Sequence, residues 1–278
     1  MTADLEFLSM LARRAGAAIL EVYETAFEVG KKADHSPLTL ADTRSHNVIC
    51  QGLQAQFPDI PVLSEEGKSI PHAVRRDWER FWLVDPLDGT KEFVKRNGEF
   101  TVNIALIQDR QPILGVIYIP VEDRLYLADT RQGCWELSKD GEQRLHIHPP
   151  LPSNRIRVAR SRSHPSPDLE ALLGRLPDHE TISRGSAAKF CAVAAGQAEF
   201  YPRLGPTWEW DTAAGQAIVM AAGGVVVDLE GDALSYNKED LLNGPFLVAP
   251  SVSCLKQVGV LRNSRRGGGD WLSVSSEQ

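Results

Sequence analysis

The order of the strands and helices that the sequence predicts changes midway along the chain, and this change limits the folds open to it. In the first half, an amphipathic helix over residues 3–27 and a second helix from Leu40 to about Gln56 precede a β-rich region. That region includes Phe81–Val84, a short apolar run suited to a buried strand. In the second half, short strands alternate with helices. We therefore expect an α+β N-terminal half and an α/β C-terminal half.

A proline-rich stretch, His148–Ser153, marks the predicted boundary between the two halves. It divides the chain into an N-terminal half over 1–150, a C-terminal half over 151–263 and a tail over 264–278. The tail is rich in Gly, Ser and Arg, and we expect it to be disordered. The 278 residues are ample for a large buried core.

Charge and hydropathy disfavour several classes of function. The formal net charge of -7 makes the chain a poor ligand for nucleic acid, whereas a small anionic ligand stays possible in a locally cationic or metal-containing cleft. No segment approaches the ~18 consecutive apolar residues of a membrane helix, and Asp4 and Glu6 indicate that there is no signal peptide. The four cysteines have no zinc-ligand spacing, which favours free thiols in a reducing cytoplasm. Loose association with a membrane surface stays open.

Two carboxylates lie three residues apart where the apolar strand ends, in the sequence DPLDGT over residues 85–90. Ligands of α/β proteins bind at such strand ends. Asp85 and Asp88 supply the hard oxygen ligands that magnesium prefers, and the carbonyl group of Leu87 lies between them. By itself the motif is explained equally well by a turn that starts a helix.

The two residues after Asp88 suit a phosphate contact. Gly89 allows the backbone to pass close to a ligand, and Thr90 is a suitable N-cap for a short helix through Val94. Free N–H groups at such a helix start favour a phosphate.

Further acids follow other predicted elements. Glu65 and Glu66 come after a predicted strand, and Asp211 opens a helix after Trp208-Glu209-Trp210. A surface acid pair and a helix N-cap explain each of these sites taken alone. Three loops each carry acidic residues beside Pro, Gly or Trp. This recurrence is harder to explain without a bound metal ion. We therefore expect a shared metal site.

Three motifs resemble the signatures of the inositol monophosphatase superfamily, namely SEEG over 64–67, WLVDPLDGTKEF over 82–93 and WEWDTAAG over 208–215. Their order and spacing fit, and the likeness covers about residues 5–262. Further strings resemble the bacterial 3'(2'),5'-bisphosphate nucleotidase branch more than inositol monophosphatases. They are KEF over 91–93, GS over 185–186 with KFC over 189–191, and YPR over 201–203 with GPT over 205–207.

The resemblance implies a fold, a cofactor and a substrate. The implied fold is a layered αβαβα sandwich of the sugar-phosphatase type. The implied cofactor is Mg²⁺, as two ions and a third, weaker one, with inhibition by lithium. The implied substrate is adenosine 3',5'-bisphosphate, a by-product of sulfate assimilation, which is hydrolysed to AMP and phosphate.

Site residues follow from the same resemblance. Those implied for the metals are Glu65, Asp85 and the Leu87 carbonyl at one ion, Asp85, Asp88 and Asp211 at the second, and Asp42 near the third. We expect in-line attack by a metal-activated water that Glu65 and the Asp42–Thr90 pair orient, without a phosphorylated enzyme. The residues implied for substrate binding are Gly89 and Thr90, through backbone N–H groups, together with Ser186, Lys189, Arg203, Glu209 and Asp211.

Two alternatives to this function stay open. One is a phosphatase for inositol phosphate or another sugar phosphate, because fold does not fix the substrate. The other is a catalytically silent module that binds a phosphorylated metabolite, although the complete set of acids argues against it. Trp208 and Trp210 either stack on a base or pack the helix start, and we expect packing for Trp210. The oligomeric state, monomer or homodimer, is open.

Overall fold

The computed structural model describes residues 2–25, 30–31, 37–38, 40–148, 155–163 and 166–261. Within these ranges the helices are α1 (Ala3–Tyr23), α2 (Leu40–Gln56), α3 (His72–Arg75), α4 (Thr90–Val94), α5 (Pro167–Leu173), α6 (Ala188–Ala194), α7 (Glu209–Ala221) and α8 (Val252–Gln257), with a 3₁₀ turn at Pro120–Glu122. The strands are β1 (Gly30–Lys31), β2 (Pro37–Leu38), β3 (Val62–Ser64), β4 (Arg80–Asp88), β5 (Thr101–Gln108), β6 (Gln111–Ile119), β7 (Arg124–Asp129), β8 (Gly133–Ser138), β9 (Gly141–Leu145), β10 (Ile156–Ser161), β11 (His179–Arg184), β12 (Tyr201–Arg203), β13 (Thr207–Trp208), β14 (Val225–Asp228), β15 (Leu242–Asn243) and β16 (Phe246–Ala249).

A seven-stranded sheet forms most of the N-terminal half. Its strand order is β3-β4-β5-β6-β7-β8-β9. β3 runs parallel to β4, and every later neighbour pair is antiparallel. From β5 onward, short turns join these strands, as antiparallel pairing allows. The sequence did not predict β9, because only its last residue, Leu145, is buried and its apolar pattern is therefore weak.

Both faces of this sheet are covered, and the apolar run in β4 shows how. Trp82 and Val84 belong to a core cluster with α1 and α2, whereas Phe81 and Leu83 belong to a second cluster with α6 and α7. Successive side chains of a strand point to opposite faces of the sheet. A run of four apolar residues therefore contributes to two cores at once.

A second sheet lies beyond α6 and α7. Strands β12, β16 and β14 are hydrogen-bonded in that order, and the parallel pair β10–β11 approaches β12 through a bridge between Val158 and Phe200. A third core cluster packs α5 and α8 against this sheet through residues such as Leu169 and Leu255. The layers therefore follow the order αβαβα, and the predicted fold class is confirmed.

The middle helical layer packs closely on the large sheet. A Cβ atom added at Gly115 in β6 would meet the Cβ of Ala217 at 2.6 Å and the carbonyl oxygen of Ala214 at 2.7 Å, so glycine is required there for α7 to approach.

The core cluster that contains α6 and α7 combines residues from both predicted halves, for example Phe81 and Phe190. The division into two halves stays a prediction. The tail and most of the predicted boundary lie outside the described residues.

Several predicted boundaries were wrong by a few residues. β4 continues through the acidic motif to Asp88, whereas the sequence placed its end at Val84. α7 begins at Glu209 rather than Asp211, and α1 ends at Tyr23 rather than at residue 27. In the part of the chain that the structure describes, no helix is both long and apolar enough to cross a membrane.

Candidate active site

Three carboxylates from separate elements converge at one end of the large sheet. Asp85 belongs to β4, Glu65 directly follows β3, and Asp211 lies in the first turn of α7. One carboxylate oxygen from each lies within 4.8 Å of the other two. Asp85 is buried, and the other two residues are half-buried. Three of the acids that the sequence placed in a shared metal site therefore lie together.

Strand pairing explains why Glu65 and Asp85 are neighbours. In the parallel pair β3–β4, Ser64 is in register with Val84, and the N–H group of Glu65 donates to the carbonyl of Val84 at 3.1 Å. Two hydrogen bonds hold the irregular part of β4 that follows, where the register shifts between Asp85 and Asp88. Asp85 Oδ1 accepts the N–H of Leu87 at 3.1 Å, and the hydroxyl of Ser45 in α2 donates to the carbonyl of Pro86 at 2.7 Å.

The electrostatics of this cluster favour a cation. Burial raises the pKa of Asp85 well above its usual range, and the nearby charges raise it further, in the order Glu65, Asp88, Asp211 and Asp42. Burial also raises the pKa of Asp211, followed by the charge of Asp88. Like charges in a buried position are unfavourable without a counter-ion. An all-oxygen donor set of this kind fits a hard divalent cation such as magnesium.

Asp88 stands slightly apart from the three clustered acids. Its Oδ2 accepts from the Thr101 hydroxyl and from Asn103 Nδ2, both at 3.4 Å. Burial raises its pKa, while the positive charge of Lys189 opposes that rise. The sequence analysis missed Thr101 and Asn103. Their polar side chains in an otherwise apolar strand were the available signal, since buried polar groups need a partner.

The acids line a cavity of about 340 Å³, a size within the range of small-molecule sites. The residues predicted for the site that also line the cavity are Glu65, Asp85, Leu87, Asp88, Gly89, Thr90, Ser186, Lys189, Arg203 and Asp211. The sequence analysis did not assign several further lining residues, including Lys91, Ser161, Tyr201 and Phe246.

Gly89 fits a position that no other residue would fill without strain. Its φ angle is +93°, and an added Cβ atom would meet the hydroxyl oxygen of Ser186 at 2.0 Å. Gly89 is also the N-cap of α4, which makes Thr90 the first residue of the helix. The expectation that Thr90 is the N-cap was therefore wrong, because the left-handed backbone of Gly89 is what starts the helix.

Ser186 and Lys189 hold the loop that faces the DPLDGT motif. The hydroxyl of Ser186 is within hydrogen-bond distance of the carbonyl oxygens of Asp88, at 2.9 Å, and Glu99, at 2.8 Å. Lys189 Nζ donates to the carbonyl of Ser186 at 2.5 Å, and burial lowers the pKa of this lysine to about 8. Both residues line the cavity while their polar atoms bind backbone oxygens.

Two predicted residues lie away from the cavity wall. Glu209 is fully buried, and its carboxylate accepts from the N–H of Asn237 at 2.7 Å and from the N–H and Nζ of Lys238 at 2.9 and 2.7 Å. Glu209 therefore lies away from the cavity where a substrate contact was expected, because its carboxylate oxygens accept hydrogen bonds from a neighbouring loop. Asp42 is buried in the first turn of α2, where its charge raises the pKa of Asp85.

Comparison with known proteins gives consistent results for sequence and structure. The inositol monophosphatase family model matches residues 2–258. The 3'(2'),5'-bisphosphate nucleotidase CysQ of Salmonella typhimurium is 50% identical over 250 residues, which cover 88% of this chain and 98% of that protein. The crystal structure of CysQ from Bacteroides thetaiotaomicron is 43% identical with a TM-score of 0.77, covering 87% of this chain and 96% of the other. An IMPase of Thermotoga maritima, 23% identical with a TM-score of 0.78, shares the fold, covering 93% and 96% of the two chains.

Proposed function

The chain belongs to the inositol monophosphatase family, and from this premise we propose that it is a metal-dependent 3'(2'),5'-bisphosphate nucleotidase. The observation that carries the proposal is that a relative of that name is 50% identical to this chain over 250 residues, which cover 98% of that relative. The substrate that we propose is adenosine 3',5'-bisphosphate, a by-product of sulfate assimilation. A water oxygen bonds to the 3'-phosphorus, the bond to the 3'-oxygen breaks, and a proton passes to that oxygen to give AMP and phosphate.

The proposed cofactor is Mg²⁺, as two ions and a third that is held more weakly. The residues that would hold the ions are Glu65, Asp85, Asp88, Asp211 and the carbonyl of Leu87, with Asp42 near the third. The closeness of the acid oxygens and the burial of Asp85 support this set. When bound, the cations supply a water of lowered pKa and offset negative charge on the phosphoryl oxygens. Lithium inhibition belongs to the same proposal.

The remaining catalytic work falls to residues of the chain. Glu65 and the Asp42–Thr90 pair orient the attacking water, and the backbone N–H groups of Gly89 and Thr90 hold the phosphate in line with it. Ser186 and Lys189 keep the facing loop against the acidic motif. Arg203 lines the cavity with Asp211 and is the cation that we propose for substrate binding there.

A phosphate-release assay with magnesium tests this function. Adenosine 3',5'-bisphosphate should give a higher kcat/KM than inositol 1-phosphate and fructose 1,6-bisphosphate. Activity should vanish with a chelator and return with magnesium. The reverse substrate order would make the protein a sugar-phosphate phosphatase. Phosphate release from none of the three, together with binding of one of them, would make it a silent binding module. A cytoplasmic location, loose membrane association and the oligomeric state stay outside this assay as predictions.

A further inference from the structure

An exposed tryptophan stands at the edge of the cavity, beside the acidic cluster. Trp208 is 43% exposed, lines the cavity and immediately precedes α7. Its backbone N–H donates to Oδ2 of Asp211 at 2.8 Å, which fixes its backbone relative to one of the three clustered carboxylates. An indole carries a large apolar area whose removal from water is favourable. Its exposure at this place therefore calls for an explanation beyond packing.

A second tryptophan orients the ring. Trp208 and Trp210 are stacked, with ring centroids 5.3 Å apart and an angle of 14° between the ring planes. Trp210 is half-buried and packs against the core cluster that contains α6 and α7. Trp210 thus covers one face of the Trp208 ring, and 43% of Trp208 stays exposed to a ligand. A side chain held in this way loses little conformational entropy when a ligand covers its exposed area.

The position of this ring suits a nucleotide substrate. Trp208 precedes Asp211 by three residues, and both residues line the same cavity. In a nucleoside 3',5'-bisphosphate, the flat base and the 3'-phosphate are separated by one sugar ring. A phosphate at the acids therefore leaves the base within reach of the indole, whereas a polyol phosphate offers no flat ring to stack.

We propose that Trp208 stacks on the base of a nucleoside 3',5'-bisphosphate and thereby sets the preference of the site for nucleotides over sugar phosphates. The inference rests on the proposed function and deepens it, because it assigns the choice of leaving group to one residue. Base–aromatic stacking corresponds to about a 5- to 150-fold change in affinity. Purines stack more strongly than pyrimidines because their ring area is larger.

The test combines a substrate series with three variants at saturating magnesium. The substrates are adenosine 3',5'-bisphosphate, uridine 3',5'-bisphosphate and ribose 3,5-bisphosphate, which has no base. For Trp208→Ala we expect a loss in kcat/KM of about 5- to 150-fold with the adenosine substrate, caused by a higher KM, a smaller loss with the uridine substrate and none with ribose 3,5-bisphosphate. Trp208→Phe should keep part of the preference. Met220→Ala is the control, since Met220 is 38% exposed in the last turn of α7, away from the cavity.

The outcomes separate this inference from the function on which it rests. An equal loss with all three substrates would mean that Trp208 only supports Asp211, and would overturn the inference. So would a wild-type base preference that persists in Trp208→Ala. Equal stabilisation by magnesium in that variant and the wild type checks that Asp211 is still in place. A wild-type protein that releases phosphate only from sugar phosphates would overturn the proposed function as well.

Discussion

Asp88 and Thr90 are two residues apart at the cavity wall, yet their side chains have different surroundings. The carboxylate of Asp88 is close enough to Asp211 for its charge to raise the pKa of that acid, and it accepts hydrogen bonds from the polar residues of β5. Thr90 begins α4 directly after the left-handed Gly89. A carboxylate beside another carboxylate suits a metal ligand, whereas a hydroxyl at a helix start suits the orientation of a water or phosphate.

This difference predicts distinct effects for two conservative variants. Asp88→Asn removes a charge from the proposed metal site, so both magnesium affinity and kcat should fall. Thr90→Ala removes one hydroxyl, so kcat should fall by about 10²–10⁴-fold while most magnesium affinity is kept. Calorimetric magnesium titration and steady-state rates measure the two effects. The proposed role of Thr90 would be wrong if Thr90→Ala lost magnesium affinity as severely as Asp88→Asn, or if its kcat were unchanged.

At the scale of elements, a buried polar network fixes the start of α7. Glu209 accepts three hydrogen bonds from Asn237 and Lys238. Arg75, at the end of α3, donates to the side chain of Asn237 at 2.8 Å and to the carbonyls of Lys238 and Glu239 at 2.6 and 2.9 Å. The network ties α3 and the 237–239 loop to the helix that carries Asp211. We therefore propose that Glu209 positions this helix rather than contacting the substrate.

Loss of the Glu209 charge should destabilise the protein. In Glu209→Gln, Lys238 and the loop N–H groups lose the buried carboxylate that accepts their hydrogen bonds. We therefore expect a decrease of about 3 kcal/mol in the free energy of unfolding. Urea unfolding in the absence of metal measures this decrease in the free energy of unfolding. Glu170→Gln is the matched control, because Glu170 is paired with Arg160 on the surface and should cost less than about 1 kcal/mol. Equal effects of the two variants would contradict the importance of the Glu209 network.

At the scale of the whole molecule, the acidic cluster joins the two predicted halves. Glu65 and Asp85 belong to the N-terminal half, and Asp211 belongs to a helix of the C-terminal half. These residues are far apart in the sequence, so their carboxylates come together only when the chain folds. A cation that needs all three therefore binds the folded state only and stabilises the molecule by mass action.

Magnesium should accordingly raise the melting temperature. At 100 times its Kd, a ligand specific for the folded state adds about 2.7 kcal/mol, which corresponds to about 5–10 °C for a chain of this size. Asp85→Asn should lose most of this shift and keep its melting temperature without metal, because the neutral amide removes repulsion from the cluster. Thermal unfolding with and without magnesium checks both statements. A shift of the same size in Asp85→Asn would place the stabilising cation elsewhere.

Local patterns in the sequence were sufficient to predict a mixed α and β fold and three acids that lie together, whereas the layered αβαβα arrangement came from the family resemblance. The apolar run Phe81–Val84 indicated a buried strand, and the structure shows both of its faces covered. Asp85 of the DPLDGT motif, with Glu65 and Asp211, indicated a shared site, and one carboxylate oxygen of each lies within 4.8 Å of the other two. Such features depend on neighbouring residues and on the ends of strands and helices, which a sequence pattern records directly.

The direction in which each polar side chain points depended on the tertiary structure. Glu209 and Trp208 are adjacent in sequence, yet one is fully buried against the 237–239 loop and the other is exposed at the cavity. The hydroxyl of Ser186 binds the backbone of Asp88 and Glu99, which are about ninety residues away along the chain. Contacts between residues so distant form only when the layers pack together. No local pattern specifies them, because the burial of a side chain depends on which surface the rest of the chain brings against it.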